Sequence, residues 1–382
     1  MKICIITDIF PAVSETWVVQ EASWLAGNGH EVTVAARVLG QNPVEGIGLV
    51  RVPFSESRTC RILVSLKNLF VGLLLKPGRA RRLFQGRNLR EFIDDCVRSA
   101  PFLNLDYDAI HVHFGTVGSQ YAFLKEMLNS RYVVTFHGYD LRRGIREKGG
   151  AFRRLFRTAD KIIAISLYSR QQLTGMGCPA EKIEVLSLGV DLDLFSPADH
   201  SRAADLIMIL TVARLVPEKN LSHAIEAVSK AAAFLPGRSV RYRILGEGPL
   251  RCELSGIAKR MGFDVEMPGA VNSGEVAREL KNADIFLLSS VDEITPVTVM
   301  EAMASGLPII ATDVGAVAEM VQDGSTGFLI GKGDKDEMAK KLADLITDRE
   351  KRLAFGREGR KFAELRFDSN RQLQTLAALI KE

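Results

Sequence analysis

Paired cysteines, long apolar runs and, over one stretch, acidic residues are what this 382-residue sequence lacks. Its five cysteines, Cys4, Cys60, Cys96, Cys178 and Cys252, are odd in number, scattered and never spaced as C-x-x-C. Neither a disulfide framework nor a thiolate zinc site is expected, and a reducing cytoplasm fits. The longest apolar stretch, Ile62–Leu75, carries Lys67 and falls short of the roughly 20 residues a membrane-spanning helix needs. The opening MKICIITDIF is broken by Asp8 and reads as a strand rather than a signal peptide. The full dinucleotide and P-loop glycine spacings are missing too, so NAD and ATP motifs are not supported.

The acidic gap lies between Ser57 and Arg90, where nine basic residues (Arg58, Arg61, Lys67, Lys76, Arg79, Arg81, Arg82, Arg87, Arg90) have no Asp or Glu among them. Ile62, Leu63, Leu66, Leu69, Phe70 and Leu73–Leu75 interleave with these cations. A basic, strongly apolar stretch suits an anionic membrane surface; a domain helix with a solvated basic rim is the alternative. Few aromatics are present to stack bases, so nucleic acid is not an expected partner. The formal net charge of +4 conceals this asymmetry, for residues 1–190 hold 25 basic and 17 acidic side chains.

A soluble composition of this length suggests two domains, each with its own core. Lys2–Thr7, Glu31–Ala35, Ala109–Val112, Tyr132–Phe136, Lys161–Ile165 and Ile183–Leu186 read as strands separated by helical stretches. The rhythm restarts at Leu206–Val212 after a boundary near Gly189–Pro197. The fold class expected is α/β, with two doubly wound, mostly parallel Rossmann-like sheets facing across a cleft. The first domain is placed at 1–195 and the second at 196–365, with a helix over 366–382 packing back on the first.

In such sheets ligands gather at the carboxyl ends of the strands, and the polar clusters of this chain fall there. In IFLLSSVDEITPVTVMEAMASGLPIIATD (Ile285–Asp313) a buried strand precedes a loop carrying Glu293, then a helix carrying Glu301. Thr295 is read as its N-cap and Pro296 as its first residue, followed by Val297. The helix N-terminus favours a phosphate, and two flanking carboxylates suit a ligand with hydroxyls as well. A solvated Glu301 and an ordinary loop Glu293 are the plain alternative. Arg214, with Lys219 beginning the next helix, suits a diphosphate, and Gly246 and Gly248 allow a ligand close to the backbone. Ser14, Glu15 and Thr16 open the first helix, Ser14 as its cap. His137 ends one strand. His111 and His113 are read as facing opposite sides of another, so no shared metal is expected. The D-x-D pairs Asp106/Asp108 and Asp191/Asp193 are discounted as metal ligands.

Glu293 and Glu301 in E-x7-E spacing before Ala302-Met303-Ala304-Ser305-Gly306 resemble the signature of family-4 retaining glycosyltransferases. Ala213–Asn220, Gly246–Leu250, Gly189–Asp191 and Thr312–Gly315 extend the resemblance. Phe10–Glu21, with Ser-Glu-Thr where a glycine pair is common, is similar to bacterial exopolysaccharide branches of the colanic-acid type, as are His111–Gly115 and His137–Asp140. The resemblance implies the B-type glycosyltransferase fold and a nucleotide-sugar donor, a UDP-sugar first and a GDP-sugar second. It implies that Arg214 and Lys219 hold the diphosphate, Glu301 the ribose and Glu293 the donor sugar, with His137 beside that sugar. Ser14, Glu15, Thr16 and His113 would lie on the side of a saccharide acceptor, expected to be linked to lipid, and no metal or other cofactor is required. Ile294-Thr295-Pro296 and Gly315-Ala316 depart from the commoner family residues and bear on donor identity. An epimerase or phosphorylase of the same fold, or a non-catalytic nucleotide-sugar-binding subunit, are the competing expectations.

Overall fold

The computed structural model describes residues 1–12, 15–40, 44–52, 63, 66–68, 70, 76–83, 89–147, 149–197, 206–235 and 239–382. They form two compact units, Met1–Leu186 with Leu373–Glu382, and Ser187–Gln372.

The first unit is built on seven parallel strands in the order β3-β2-β1-β4-β5-β6-β7: β1 (Lys2–Phe10), β2 (Glu31–Leu39), β3 (Gly48–Arg51), β4 (Ala109–His113), β5 (Arg131–Phe136), β6 (Lys161–Ala164) and β7 (Ile183–Val185). Ile3, Cys4, Ile5 and Ile6 on β1 are all buried, as a strand covered on both faces requires. The helix Thr16–Gly27 covers one face through Val18, Ala22 and Leu25. Order reverses between β1 and β4, the topological switch point at which open α/β sheets leave room for a ligand.

The second unit repeats the plan with six parallel strands in the order β10-β9-β8-β11-β12-β13: β8 (Leu206–Val212), β9 (Ser239–Leu245), β10 (Val265–Gly269), β11 (Ile285–Leu288), β12 (Ile309–Thr312) and β13 (Gly327–Ile330). Every residue of β11 and β12 is buried, which explains why neither shows an alternating pattern. Here the order reverses between β8 and β11.

The second unit begins at Ser187. Val190 donates its N–H to Phe367 O at 2.7 Å, Ser369 returns a bond to Val190 O at 3.1 Å, and Arg360 Nη1 reaches Leu192 O and Phe195 O at 3.2 and 2.8 Å. These bonds fasten 187–195 to the second unit. The last helix, Ser369–Lys381, starts there and ends in the first unit, where Ile380 joins Ile3, Ile5 and Val32 in one core and Arg131 donates to Leu379 O.

Candidate active site

In the second unit the loops after β8, β9 and β11 are tied together by backbone bonds. Leu215 N donates to Glu247 O at 2.9 Å, and Val291 N donates to Glu218 O at 2.8 Å. Ser289 Oγ donates to Lys219 O at 2.8 Å. Gly246 has φ +143°, and a Cβ there would stand 1.9 Å from Ala213 O; the glycine serves packing between loops as well as access. Gly248 is pressed in the same way against Leu215 O. Arg214, Lys219, Gly246, Gly248, Glu293, Thr295, Pro296 and Val297 therefore share one edge of the sheet.

Lys219 closes a short turn, Pro217–Lys219, and the helix itself begins at Leu221. The sequence reading placed Lys219 in the helix; Asn220, at φ +47°, breaks the helical path between them. Its ammonium donates to Glu293 Oε1, which also accepts from Ser290 Oγ at 2.7 Å. Arg214 is exposed, and among the described residues no hydrogen bond or ion pair occupies its guanidinium. One cation of the edge is internally paired and the other is available to an anion.

The helix after β11 spans Val297–Ala304, with Pro296 (φ −78°, ψ 106°) in the N-cap position. It starts one residue later than read from sequence, and Thr295 is not its cap. The extended ψ of Pro296 keeps it outside the helix while its ring costs no N–H needed there. Glu301 sits on the first turn but one. Its carboxyl has no hydrogen-bond or ion-pair partner among the described residues, and burial pushes its pKa up to about 8. Glu301 is half-buried, and a carboxyl so placed without a partner is costly. Gly315 faces this loop at φ +58°, where a Cβ would lie 1.9 Å from Glu293 O.

In the first unit the histidines form a connected group. His111 and His113 stand two apart on β4 and so share a face, contrary to the sequence reading; their rings are 4.6 Å apart. Both meet Glu21 of the first helix, His111 Nδ1 at 2.6 Å from Oε1 and His113 Nε2 at 3.0 Å from Oε2. His111 Nε2 lies 2.8 Å from Thr135 Oγ1, and His113 Nδ1 lies 3.2 Å from His137 Nε2. Burial alone would raise the Glu21 carboxyl, but His111 and His113 outweigh it and hold it well below the usual range. Burial also depresses His111 and, further, His137. Glu21, His111 and His113 are the one grouping among the described residues able to hold a metal ion. The hydrogen bond between His111 Nδ1 and this carboxylate at 2.6 Å accounts for the approach without a metal as well.

His137 is buried, stacked on Trp17 at 5.4 Å and His113 at 5.4 Å. Its N–H donates to Asp140 Oδ1 at 2.9 Å, and Gly115 N donates to the other oxygen of that carboxyl. Burial raises Asp140 to about 7 against the pull of these amides. Glu15 is half-buried at the N-cap of the first helix and Thr16 is exposed at its start; Ser14, read as that cap, lies outside the described residues. Thr7 Oγ1 donates to Glu15 Oε2 at 3.5 Å, and burial raises the Glu15 pKa. The discounted aspartates have structural work: Asp108 accepts from Lys2 N, Asp106 pairs with Arg79, and Asp191 Oδ1 accepts from Asp193 N and Leu194 N.

Sequence reasoning missed Glu21. Its signal was a lone carboxylate in the apolar stripe of TWVVQEASWLAG, opposite an H-x-H strand.

The family model described as Glycosyltransferase Family 4 matches residues 14–194, and that described as Glycosyl transferases group 1 matches residues 195–362. The putative colanic acid biosynthesis glycosyltransferase WcaL of Salmonella typhimurium is 32% identical over 373 residues, covering 90% of each chain. The amylovoran biosynthesis glycosyltransferase AmsK of Erwinia amylovora is 29% identical over 371 residues, again 90% of each. Among solved structures, Anabaena HepE in complex with UDP covers 99% of both chains at 18% identity with a TM-score of 0.77. WaaG, a glycosyltransferase involved in lipopolysaccharide biosynthesis, covers 99% of both at 16% identity and 0.69. These likenesses establish the two-sheet B-type fold.

Proposed function

The chain belongs to the family-4, group-1 glycosyltransferases, and from that premise we propose that it is a retaining, metal-independent transferase of exopolysaccharide assembly. It moves a sugar from a nucleotide donor, a UDP-sugar first and a GDP-sugar second, to a saccharide acceptor carried on lipid. The observation that carries this reading is Glu301, a half-buried carboxyl without a protein partner whose pKa burial raises, on the helix that follows β11, with the unpaired Arg214 on the loop after β8. A ribose diol fits the first and a diphosphate the N-terminus of that helix and Arg214.

In this reading the bond from the sugar's anomeric carbon to the diphosphate breaks first, and negative charge develops on the leaving oxygen. Arg214, Lys219 and the amides of the first turn at Val297 stabilise that charge. Glu293, held by Lys219 and Ser290, orients the sugar. The acceptor oxygen bonds on the face just vacated, and its proton passes to the departing phosphate. His137 stays neutral and positions the sugar rather than taking its proton. Gly246, Gly248, Thr295 and Pro296 shape the donor site; Glu15, Thr16 and His113 belong to the acceptor side.

The basic stretch 58–90 serves in this account as a reversible contact with an anionic lipid surface on the cytoplasmic side. Lys67 and Lys76 are exposed and suit it, and Arg82 is exposed while donating from Nη1 to Glu126 O at 3.4 Å. Arg79 does not, because it donates to Leu103 O and Leu105 O and pairs with Asp106. Arg58, Arg61 and Arg87 lie outside the described residues. Among the described residues no helix is long and apolar enough to cross a membrane.

A thermal-shift screen of nucleotide sugars tests the proposal. A ligand at about 100 times its Kd adds ~2.7 kcal/mol to folding stability, so the true donor raises Tm by several degrees. Stabilisation by no UDP- or GDP-linked sugar would refute the reading.

A further inference from the structure

The first unit contains a cavity of about 420 Å³ at the carboxyl end of β1 and β4, beside the switch point of its sheet. The volume suits one or two sugar residues, within the roughly 300–1,000 Å³ usual for ligand sites. Phe114 and Tyr139 line it. Tyr139 is 65% exposed and Phe114 is held at φ +71°, a conformation uncommon for a bulky side chain. Aromatic faces of this kind pack on the C–H faces of sugars.

The charges of the wall are uneven. Arg37, Arg98 and Arg143 line it, with Asp8 and Glu15. Arg37 and Asp8 satisfy each other by a two-pronged contact, Nε to Oδ1 at 2.8 Å and Nη2 to Oδ2 at 2.9 Å. Arg143 spends only its Nε, on Glu147 at 2.9 Å, and its Nη groups have no partner among the described residues. Arg98 is 26% exposed, makes no hydrogen bond there, and has its nearest carboxylate, Asp95, at 3.9 Å. Arg154 draws on the same Asp95. Two guanidinium forks with unspent donors thus face one cavity, and a planar fork is the group that binds carboxylate or phosphate with two parallel bonds.

We propose that this cavity binds an acidic group of the acceptor, with Arg98 and Arg143 as its ligands and Phe114 and Tyr139 as the platform for the adjoining sugar. The proposal rests on the glycosyltransferase reading and narrows it, since a neutral saccharide would leave both forks unused. Two sources share the chemistry: the carboxylate of a uronosyl residue and the diphosphate that joins a saccharide to a lipid carrier. Glu15, on the same wall with Thr7, then accepts from a sugar hydroxyl.

Calorimetry on the full-length protein separates these possibilities with three probes. They are a disaccharide methyl glycoside ending in glucuronic acid, the same disaccharide ending in glucose, and glucose joined through diphosphate to a short water-soluble prenyl chain. At least one acidic probe should bind tenfold or more tighter than the neutral disaccharide, and which one does so identifies the source. In the Arg98→Gln/Arg143→Gln variant that preference should vanish, while UDP binds as in wild type and Tm holds. Equal binding of all three probes, or an undiminished preference in the variant, would overturn the assignment. Titration with UDP reports on the donor reading separately: its failure counts against that reading, whereas the probe comparison judges the cavity by itself.

Discussion

Lys219 and Glu293, 74 residues apart in sequence, are joined in one ion pair that bridges the loops following β8 and β11. Neither is free to move without the other. Glu293 is almost wholly buried and Lys219 only slightly exposed, so the pair fixes the geometry of this edge of the sheet.

Removal of either cation should lower turnover, by different routes. Arg214 has no partner to lose, so Arg214→Ala should leave Tm unchanged while losing charge stabilisation of about 2.7–4 kcal/mol, roughly 10²–10³ in kcat. Lys219→Ala should lose activity and also Tm, because it strands a buried carboxylate. Kinetics beside a thermal melt of each variant checks this; equal Tm losses would contradict it.

Glu301 gives a pH signature. Its folded pKa of about 8 lies above the ordinary carboxylate value, so the native state holds a proton that the unfolded state has already released. The associated stability is full below the unfolded pKa, and is lost as pH rises toward and through 8. The contribution of Glu301 to the stability of the ligand-free protein should therefore fall between about pH 5 and 9, and Glu301→Gln should remove that component of the slope. Denaturant melts across this range supply the test, and parallel slopes in both proteins would contradict it.

The Glu21 group acts at the other end of the scale. Its carboxyl is depressed, so its contribution is present above the unfolded carboxylate pKa and lost as pH falls through the lower folded value. His111 and His137 are depressed too, and their neutral forms cost stability once pH drops below the ordinary imidazole range. Acid should destabilise the first unit from about pH 6.5 downward. Glu21→Ala, which leaves the buried His111 without its carboxylate partner, should cost about 1–3 kcal/mol by urea titration; no measurable loss would show that the group is not bonded as described.

Activity should survive excess EDTA. Asp106, Asp108 and Asp191 are engaged by Arg79 and by backbone amides, which leaves little of either D-x-D pair for a cation. Loss of turnover on chelation, restored by Mg²⁺ or Mn²⁺, would contradict the metal-independent mechanism.

Binding to anionic vesicles should weaken with salt, as screening shortens the reach of surface charge. Changing Lys67, Lys76 and Arg82 together to Gln should remove about 1 kcal/mol for each charge, while UDP binding stays intact. Arg79→Gln should instead lower Tm. Sedimentation with vesicles reads the first effect, and no binding by wild type would end the membrane proposal.

The clustering of these side chains after β8 and β11 was legible in sequence because its residues are local: Glu293 and Glu301 belong to one loop and helix, Arg214 and Lys219 to one strand end. The two-sheet fold was legible from apolar runs such as IFLL and IIAT. What escaped depended on tertiary contact. Glu21 finds His111 only when a helix crosses β4, and the strand period was misapplied to His113. Arg98 and Arg143 come from helices on either side of β4, and nothing in their local sequence points to a common cavity. Helix starts shifted by one residue at Pro296 and by two at Lys219 because backbone angles there, extended at one and left-handed just after the other, overrode propensity.

The central claim is that a nucleotide binds at the edge formed by Arg214, Lys219 and Glu301. Titration calorimetry of UDP and GDP into wild type, Arg214→Ala and Glu301→Ala tests it most directly. The account predicts saturable binding of at least one nucleotide to wild type and a tenfold or greater loss of affinity in each variant, with the fold intact by circular dichroism. Binding of neither nucleotide, or equal affinity in all three proteins, would contradict it.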